Sequence, residues 1–468
     1  MNFIVLDIIL LVAFCIFLSV FLYVKRKNVK REGLLFLYKT SWGMKIIDYV
    51  GGKYKRTLNF FSYIIVFSGY LLMAGVLYMV GQLIYIYAAM PDVARAVKVP
   101  PIMPLIPYLP QMFKLDFLPP FYFTYWIVIL VIIAVSHEFA HGIYSKLYGV
   151  RVKSTGFGFL GPFLAAFVET DEKKMAKKPK FQQMAILGAG TFANVITSVL
   201  FFIILIIFFA FSFSASGVVF DTYAYSAVAV SNISSINGIT ANNQNYTSMI
   251  DQIEGISEVE ANNKTYLTTR EMFQKQEKNQ GYIILYDDSP AVRAELIGAI
   301  TEINNNKITS RDDLRNELAK YKPGDNITIT TKINDTSKKY EVTLLASPGN
   351  ETLPWLGIGF YETTQKGIIS KTYLKLSSYF KEPHVYYEPK YEASVFIYNL
   401  LWWIILISVS VALVNMLPVG IFDGGRFFYL TMFGIFKNEK IASKIFHFVT
   451  YLFLFIILLL MVLWFFAI

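Results

Sequence analysis

The stretch SHEFAHG, residues 136–142, lies inside FYFTYWIVILVIIAVSHEFAHGIYSKLYGV (121–150), which otherwise reads as a membrane span. Two histidines and a glutamate are out of place in lipid. A charged side chain near the bilayer centre costs about 3 kcal/mol or more, so such residues are rare there and mark function. On a helix His137 and His141 are four apart and share one face, so both imidazoles can reach one metal ion. Glu138 points about 100° further round, where it can reach a water on the metal without being a ligand. This is the H-E-x-x-H pattern of a zinc site, in which the metal lowers the pKa of a water to roughly 7. The glutamate takes its proton and passes it to a leaving amine. A chance match is disfavoured: of four histidines in the chain, two fall within five residues of each other in an apolar run, with a glutamate between them.

The rest of the chain fits a membrane setting. Of 468 residues, 55% are hydrophobic, 17% aromatic and only 16% charged, and the apolar residues are clustered. A span takes about 20 largely apolar residues. Six runs meet that length: 3–24, 58–89, 120–146, 181–213, 391–417 and 443–468. The later RFFYLTMFGIF (426–436) is too short for a span and reads as an interfacial or re-entrant helix. The first run has no basic segment before it and no small-residue cleavage site, so it reads as a retained anchor. The only cysteine, Cys15, excludes an intramolecular disulfide and a cysteine-clustered zinc site.

The net charge of +10 is not a nucleic-acid signature, because it sits beside spans. Basic residues concentrate at 25–57, 171–180 and 426–444, which fall on one side of a six-span arrangement. The positive-inside rule makes that side cytoplasmic and places both termini outside. His141 is followed five residues later by Lys146, so the metal site is expected towards the cytoplasmic side. The glycine-rich STGFGFLGPFLAAFVET (154–170), broken at Gly161-Pro162, reads as extended structure at membrane depth. That is tolerated only where protein or water covers the backbone. Residues 214–385 are polar, and Asn232 and Asn245 head N-x-[ST] patterns typical of exposed loops. Within them short alternating strands flank a helix, SRDDLRNELAKY, with Ser310 as its expected N-cap, and KPGD (322–325) reads as a turn.

Two histidines cannot complete the site. His384 and His447 read as interfacial or packing residues. Asp423, in VNMLPVGIFDGGRFF (414–428), follows a span broken at Pro418 and Gly420. On the residues alone it is either the third ligand, reaching the same side as His141, or the N-cap of a helix in a cytoplasmic loop.

Taken together, HEFAHG and NMLPVGIFDGG resemble the site-2 protease family of intramembrane zinc metalloproteases. The second motif matches N-x-x-P-x-x-x-x-D-G through Asn415, Pro418, Asp423 and Gly424. GAGTFANV (188–195) is similar to the family's A-G-P-x-x-N segment, with Thr191 where the family has proline. The resemblance implies Zn2+ held by His137, His141 and Asp423, Glu138 as general base and later acid, and Asn194 as a residue that holds the substrate carbonyl. The other reading of Asn194 is an interhelical hydrogen bond. The resemblance also implies that 154–170 pairs with an unwound substrate helix. Residues 281–346, with GYIILY, SPA and AITEINNNKI, look like a PDZ domain, and GVVF (217–220) and ISSINGIT (233–240) look PDZ-like too, so the module is expected to be permuted, interrupted or partly duplicated.

The expected fold class is therefore a polytopic α-helical membrane protein with about six transmembrane helices and an inserted α+β PDZ-like extracytoplasmic domain. Residues 1–57 are the N-terminal anchor and basic cytoplasmic segment, and 58–119 the second span with a proline-rich outer loop. Residues 120–213 form the first part of the catalytic core, 214–385 the PDZ-like region, 386–436 the second part of the core and 437–468 the last span. The expected function is hydrolysis of peptide bonds within or near transmembrane segments of other proteins, in the cell membrane. The expected partners are those substrates, the lipid bilayer and a peptide C-terminus at the PDZ-like region. The alternative is a non-proteolytic transporter or scaffold with a metal site.

Overall fold

Among the described residues of the computed structural model, six helices are long and apolar enough to cross a membrane: Phe3–Val24, Lys55–Ala89, Phe123–Leu147, Lys180–Ser212, Ser394–Asn415 and Glu439–Phe466. Each occupies one of the six apolar runs. Large side chains such as Phe60, Tyr63, Phe67 and Leu71 stand exposed on their outer faces, as helices solvated by lipid require. The chain is described apart from residues 1–2, 33–34, 98–99, 161–162, 241–252, 254, 277–280, 334–335, 362–379 and 468. Gly161, Pro162 and Asn245 thus lie outside the described residues. The chain forms two compact units, residues 1–208 with 395–468, and residues 209–394.

The first unit holds the four-stranded antiparallel sheet β1 (Val29–Glu32), β2 (Leu35–Thr40), β3 (Val152–Leu160) and β4 (Phe163–Thr170), in that order. The extended reading of 154–170 is met by β3 and β4. The other two strands come from the basic 25–57 segment, which the sequence marks only by its charge. Tyr38 pairs with Phe157, and Phe157 with Ala166. No local pattern announces a partner more than a hundred residues away. The helix Met44–Lys53 from the same segment packs on the HEFAH helix, where Ile47 fills the space left open at Gly142. Lys146 closes the contact with an ion pair to Asp48 at 2.6 Å.

At its other end the HEFAH helix is capped from outside. Asp7, fully buried in the helix Phe3–Val24, accepts from Phe123 N at 2.7 Å and Thr124 N at 2.9 Å. The hydroxyls of Tyr108 and Thr124 donate to the same carboxylate. The first backbone N–H groups of a helix have no partner within it, and an anion there also meets the positive end of the helix dipole. The preceding residue, Tyr122, has no side chain able to cap.

The helix Ser394–Asn415 stops before Pro418, which lacks an N–H. A tight turn then leads into the 14-residue helix Asp423–Phe436, too short to be a span. The two glycines after Asp423 are spatial requirements. A Cβ on Gly424 would stand 2.3 Å from Met416 C, and one on Gly425 2.3 Å from Val419 O.

The second unit contains two sheets of six strands. One runs, in order, 225–229, 282–287, 264–269, 256–261, 233–236 and 239–240. The other has the path 336–343, 326–333, 299–303, 213–218 and 385–389, with 306–307 paired to 299–303. The strand Tyr282–Asp287, grouped by sequence with the PDZ-like run, pairs instead with 225–229. Its alternation buries Ile283 and Leu285 in one cluster with Val228, Val259 and Tyr266, and the same pattern would serve equally in either sheet. Ser310 caps the helix Arg311–Leu318 as expected, accepting from Asp313 N at 3.1 Å in a capping box.

Candidate active site

The helix Phe123–Leu147 carries His137 and His141 on one face, with ring centroids 4.7 Å apart. The turn after Pro418 brings Asp423 to the same point. His137 Nε2 and His141 Nε2 are 3.0 Å apart, and Asp423 Oδ2 lies 3.4 Å from the first and 3.2 Å from the second. Among the described residues this is the cluster of ligand-type atoms close enough to share a metal ion. The spacings match the roughly 3.3 Å edge of a tetrahedron with bonds of about 2.0–2.1 Å, the geometry of a zinc site with one open position. The donor set, two imidazoles and a carboxylate, also fits zinc. His384 instead pairs with Asp221 at 3.2 Å, and His447 bonds its own helix at Ser443 O, so neither joins the cluster.

The supporting groups aim these atoms. His141 Nδ1 lies 2.7 Å from Ile186 O. A carbonyl only accepts, so Nδ1 carries the proton and Nε2 is left with its lone pair. Asn194 is fully buried with its amide 3.0 Å from His137 Nδ1. The Oδ1 of that amide has no partner when Nδ2 faces the ring. Turning the amide over lets Oδ1 accept the Nδ1 proton, which fixes Nε2 as the ligand atom and satisfies the buried oxygen. Thr191, at the family's proline position, sends its hydroxyl back to Gly188 O at 2.9 Å.

Gly190 stands directly against the pair. A Cβ there would lie 2.4 Å from His141 Nε2 and 2.6 Å from His137 Nε2. The helix Lys180–Ser212 can approach the imidazoles only because this position has no side chain. The likeness to A-G-P-x-x-N aligns Gly190, and not Gly188, with the motif's glycine, but its contact with the imidazoles shows only in the packing.

Glu138 points away from the two histidines towards the sheet. β4 is the last strand, and its Val168 N–H donates to Glu138 Oε2 at 2.9 Å. One carboxylate oxygen is therefore held while the other remains free for chemistry. All four side chains, His137, Glu138, His141 and Asp423, line one cavity of about 710 Å³. Its walls run from Ile129, Ile133, Ile407 and Val411 at one end to Thr170, Glu172, Asn415 and Arg426 at the other. Leu164, Ala165, Ala166 and Val168 of β4 form one side. Asn194 does not line this cavity; it sits behind His137.

Comparison with known proteins bears on residues 125–460, which match the family model Peptidase family M50. The chain is 33% identical over 196 residues to the uncharacterized protein MJ0971 of Methanocaldococcus jannaschii, covering 40% of this chain and 48% of that protein. It thus spans about half the length of this curated relative. Among solved structures, the PDZ domain of the SdrC-like protein Lmo2051 from Listeria monocytogenes matches 15% of this chain and 75% of its own, at 27% identity and a TM-score of 0.14.

Proposed function

Because the chain belongs to peptidase family M50, we propose that it is a multi-pass membrane zinc endopeptidase of the site-2 type, cleaving peptide bonds in or near transmembrane segments of other proteins. The observation that carries this reading is the convergence of His137, His141 and Asp423, with Glu138 beside them in one cavity. His137 Nε2, His141 Nε2 and Asp423 Oδ2 would hold the zinc. When bound, zinc supplies a Lewis acid that acidifies water and polarises a carbonyl. Glu138 removes the proton of the attacking water and returns it to the leaving amine. Val168 N–H holds this carboxylate in place and leaves its other oxygen towards the cavity.

Asn194 acts through His137, fixing the tautomer by its amide oxygen. Its full burial behind the ring favours this role over direct contact with a substrate carbonyl. A helical substrate hides its amides in its own hydrogen bonds. The outer edge of β4, which flanks the cavity and gives its Val168 N–H to Glu138, presents backbone groups to a segment that unwinds. The clustering of basic segments supports a site towards the cytoplasm, with both termini outside. The PDZ-like run in the second unit fits capture of a peptide C-terminus by strand addition.

The test uses the full chain in detergent or proteoliposomes. Metal content and cleavage of a transmembrane substrate are measured for wild type, His141→Ala and Glu138→Gln. The reading expects one zinc per chain, lost in His141→Ala and kept in Glu138→Gln, with cleavage lost in both. Cleavage by Glu138→Gln at the wild-type rate would refute the mechanism. Stoichiometric zinc with no proteolysis of any membrane protein would favour the transporter or scaffold reading.

A further inference from the structure

Three cations of the first unit, Lys39, Lys146 and Lys180, have partners. Lys39 pairs with Glu169 at 2.6 Å and Lys146 with Asp48 at 2.6 Å. Lys180 sits 3.6 Å over the Phe433 ring and donates to Phe433 O at 3.1 Å. Arg426 differs. It is half-buried, lines the 710 Å³ cavity, and among the described residues has no hydrogen-bond, ion-pair or ring partner. Among the described residues that line that cavity it is the one Lys or Arg.

Its placement is set by the helix that starts at Asp423. Residues three apart on a helix are neighbours on one face, with Cβ atoms about 5–6 Å apart. Asp423 faces the histidines, so Arg426 lies one turn further along the same cavity wall. The cavity is therefore polarised. Ile129, Ile133, Ile407 and Val411 make one end apolar, while Thr170, Glu172, Asn415 and Arg426 make the other polar, with no ion pair between Glu172 and Arg426 among the described residues. A guanidinium cannot shed its charge, and partly removing it from water is costly unless an anion or other acceptors meet it. Its planar fork matches a carboxylate with two parallel hydrogen bonds.

We propose that Arg426 is a specificity-determining residue that binds a carboxylate at the polar end of the catalytic cavity. Two sources share this chemistry. One is an acidic side chain of the substrate beside the scissile bond. The other is the chain-end carboxylate that hydrolysis creates, when water adds its oxygen to the carbonyl carbon, the C–N bond breaks and the amine takes the proton. This inference rests on the endopeptidase reading above.

The experiment uses the purified full chain in proteoliposomes. Transmembrane substrates carry Glu, Gln or Lys at successive positions flanking the cleaved bond, and kcat/KM is measured for wild type, Arg426→Gln and Arg426→Glu. In parallel, binding of the N-terminal product peptide as free acid and as amide is measured by fluorescence polarisation in Glu138→Gln, alone and combined with Arg426→Gln. A charged hydrogen bond of this kind corresponds to a preference of roughly tenfold or more. If the source is a side chain, wild type favours Glu over Gln at one position, Arg426→Gln erases that preference and Arg426→Glu turns it towards Lys. If the source is the product, the acid binds roughly tenfold tighter than the amide, and only in the chain that keeps Arg426.

Zinc stoichiometry is measured on every variant and should not change. Loss of zinc in Arg426→Gln would overturn the proposal by making the residue a support for Asp423. Equal effects of Arg426→Gln on Glu, Gln and Lys substrates, together with equal binding of acid and amide, would overturn it too. A wild type that cleaves nothing refutes the endopeptidase reading, while the binding arm still decides whether Arg426 holds a carboxylate.

Discussion

Asp7 and Asp423 are both acids embedded in the membrane-type unit, and both approach the HEFAH helix. Asp7 meets donors only: the N–H groups of Phe123 and Thr124, and the hydroxyls of Thr124 and Tyr108. Its lone pairs are taken by four donors of the protein, which leaves none for a metal. Asp423 meets two imidazole nitrogens at 3.2–3.4 Å, at least one of which, that of His141, is turned so that its lone pair faces the acid. Lone pairs facing lone pairs are unfavourable unless a cation sits among them. The same side chain is thus a structural cap in one place and a metal-ligand candidate in the other, and the partners decide which.

This contrast can be broken by exchange of its terms. The largest effect is expected for Asp423→Ala, which should lose bound zinc and reduce cleavage beyond the roughly 100-fold that loss of supporting groups costs at metal sites. Metal analysis beside a cleavage assay checks it; retained stoichiometric zinc would mean that Asp423 is not a ligand. Glu138→Gln should lower kcat by about 10²–10⁴-fold with zinc retained, which separates the base from the ligands. Gly190→Ala places a methyl 2.4–2.6 Å from both imidazole nitrogens, so the rings must turn. Zinc affinity should fall by roughly 10–100-fold, read by chelator competition.

Asp7→Ala should instead leave zinc affinity in the folded protein unchanged and cost about 2–3 kcal/mol of stability, because buried N–H groups lose their acceptor. Thermal unfolding with and without zinc tests this, and loss of zinc from a fully folded Asp7→Ala protein would erase the distinction between the two acids.

The smallest effect sharpens the comparison with an acid in the other unit. Asp313 also serves a helix start, but in cis, and hydrogen bonds from Thr309 and Ser310 hold its carboxyl below the usual range. A lowered folded-state pKa stabilises the fold above the unfolded value and is lost as pH falls, so this contribution should fade below about pH 4. Asp313→Ala should cost about 1 kcal/mol at neutral pH. The difference from wild type should shrink on acidification, as followed by urea unfolding of the full chain.

Legibility differed between these features for physical reasons. His137, Glu138 and His141 lie within one turn of a helix, so their geometry follows from spacing alone. Asp423 needed its broken, glycine-flanked context. Asp7 carried a signal, as a lone acid in a 22-residue apolar helix, yet its partner could not be inferred from its own segment. Gly190 and Asn194 stood in the segment similar to A-G-P-x-x-N, and an interhelical hydrogen bond was one reading of Asn194, but their contacts with the imidazoles, like that of Val168 N–H with Glu138, depend on which surface of one element meets another. The hairpin and helix of residues 29–53 were read as charge, although they complete the sheet and brace the catalytic helix.

By itself the sequence determined six apolar helices, a polar insert of strands and a pair of histidines on one helix face with an adjacent glutamate. Those features come from periodicity and composition, which act within a few residues. Only the tertiary structure brought Asp423 within 3.4 Å of both His137 and His141 and set Asp7 as the cap of the HEFAH helix. It alone set β4 beside Glu138 and left Arg426 in the cavity without a partner among the described residues. Each of those depends on contacts between residues far apart in the chain, fixed by packing across elements and not by any local preference.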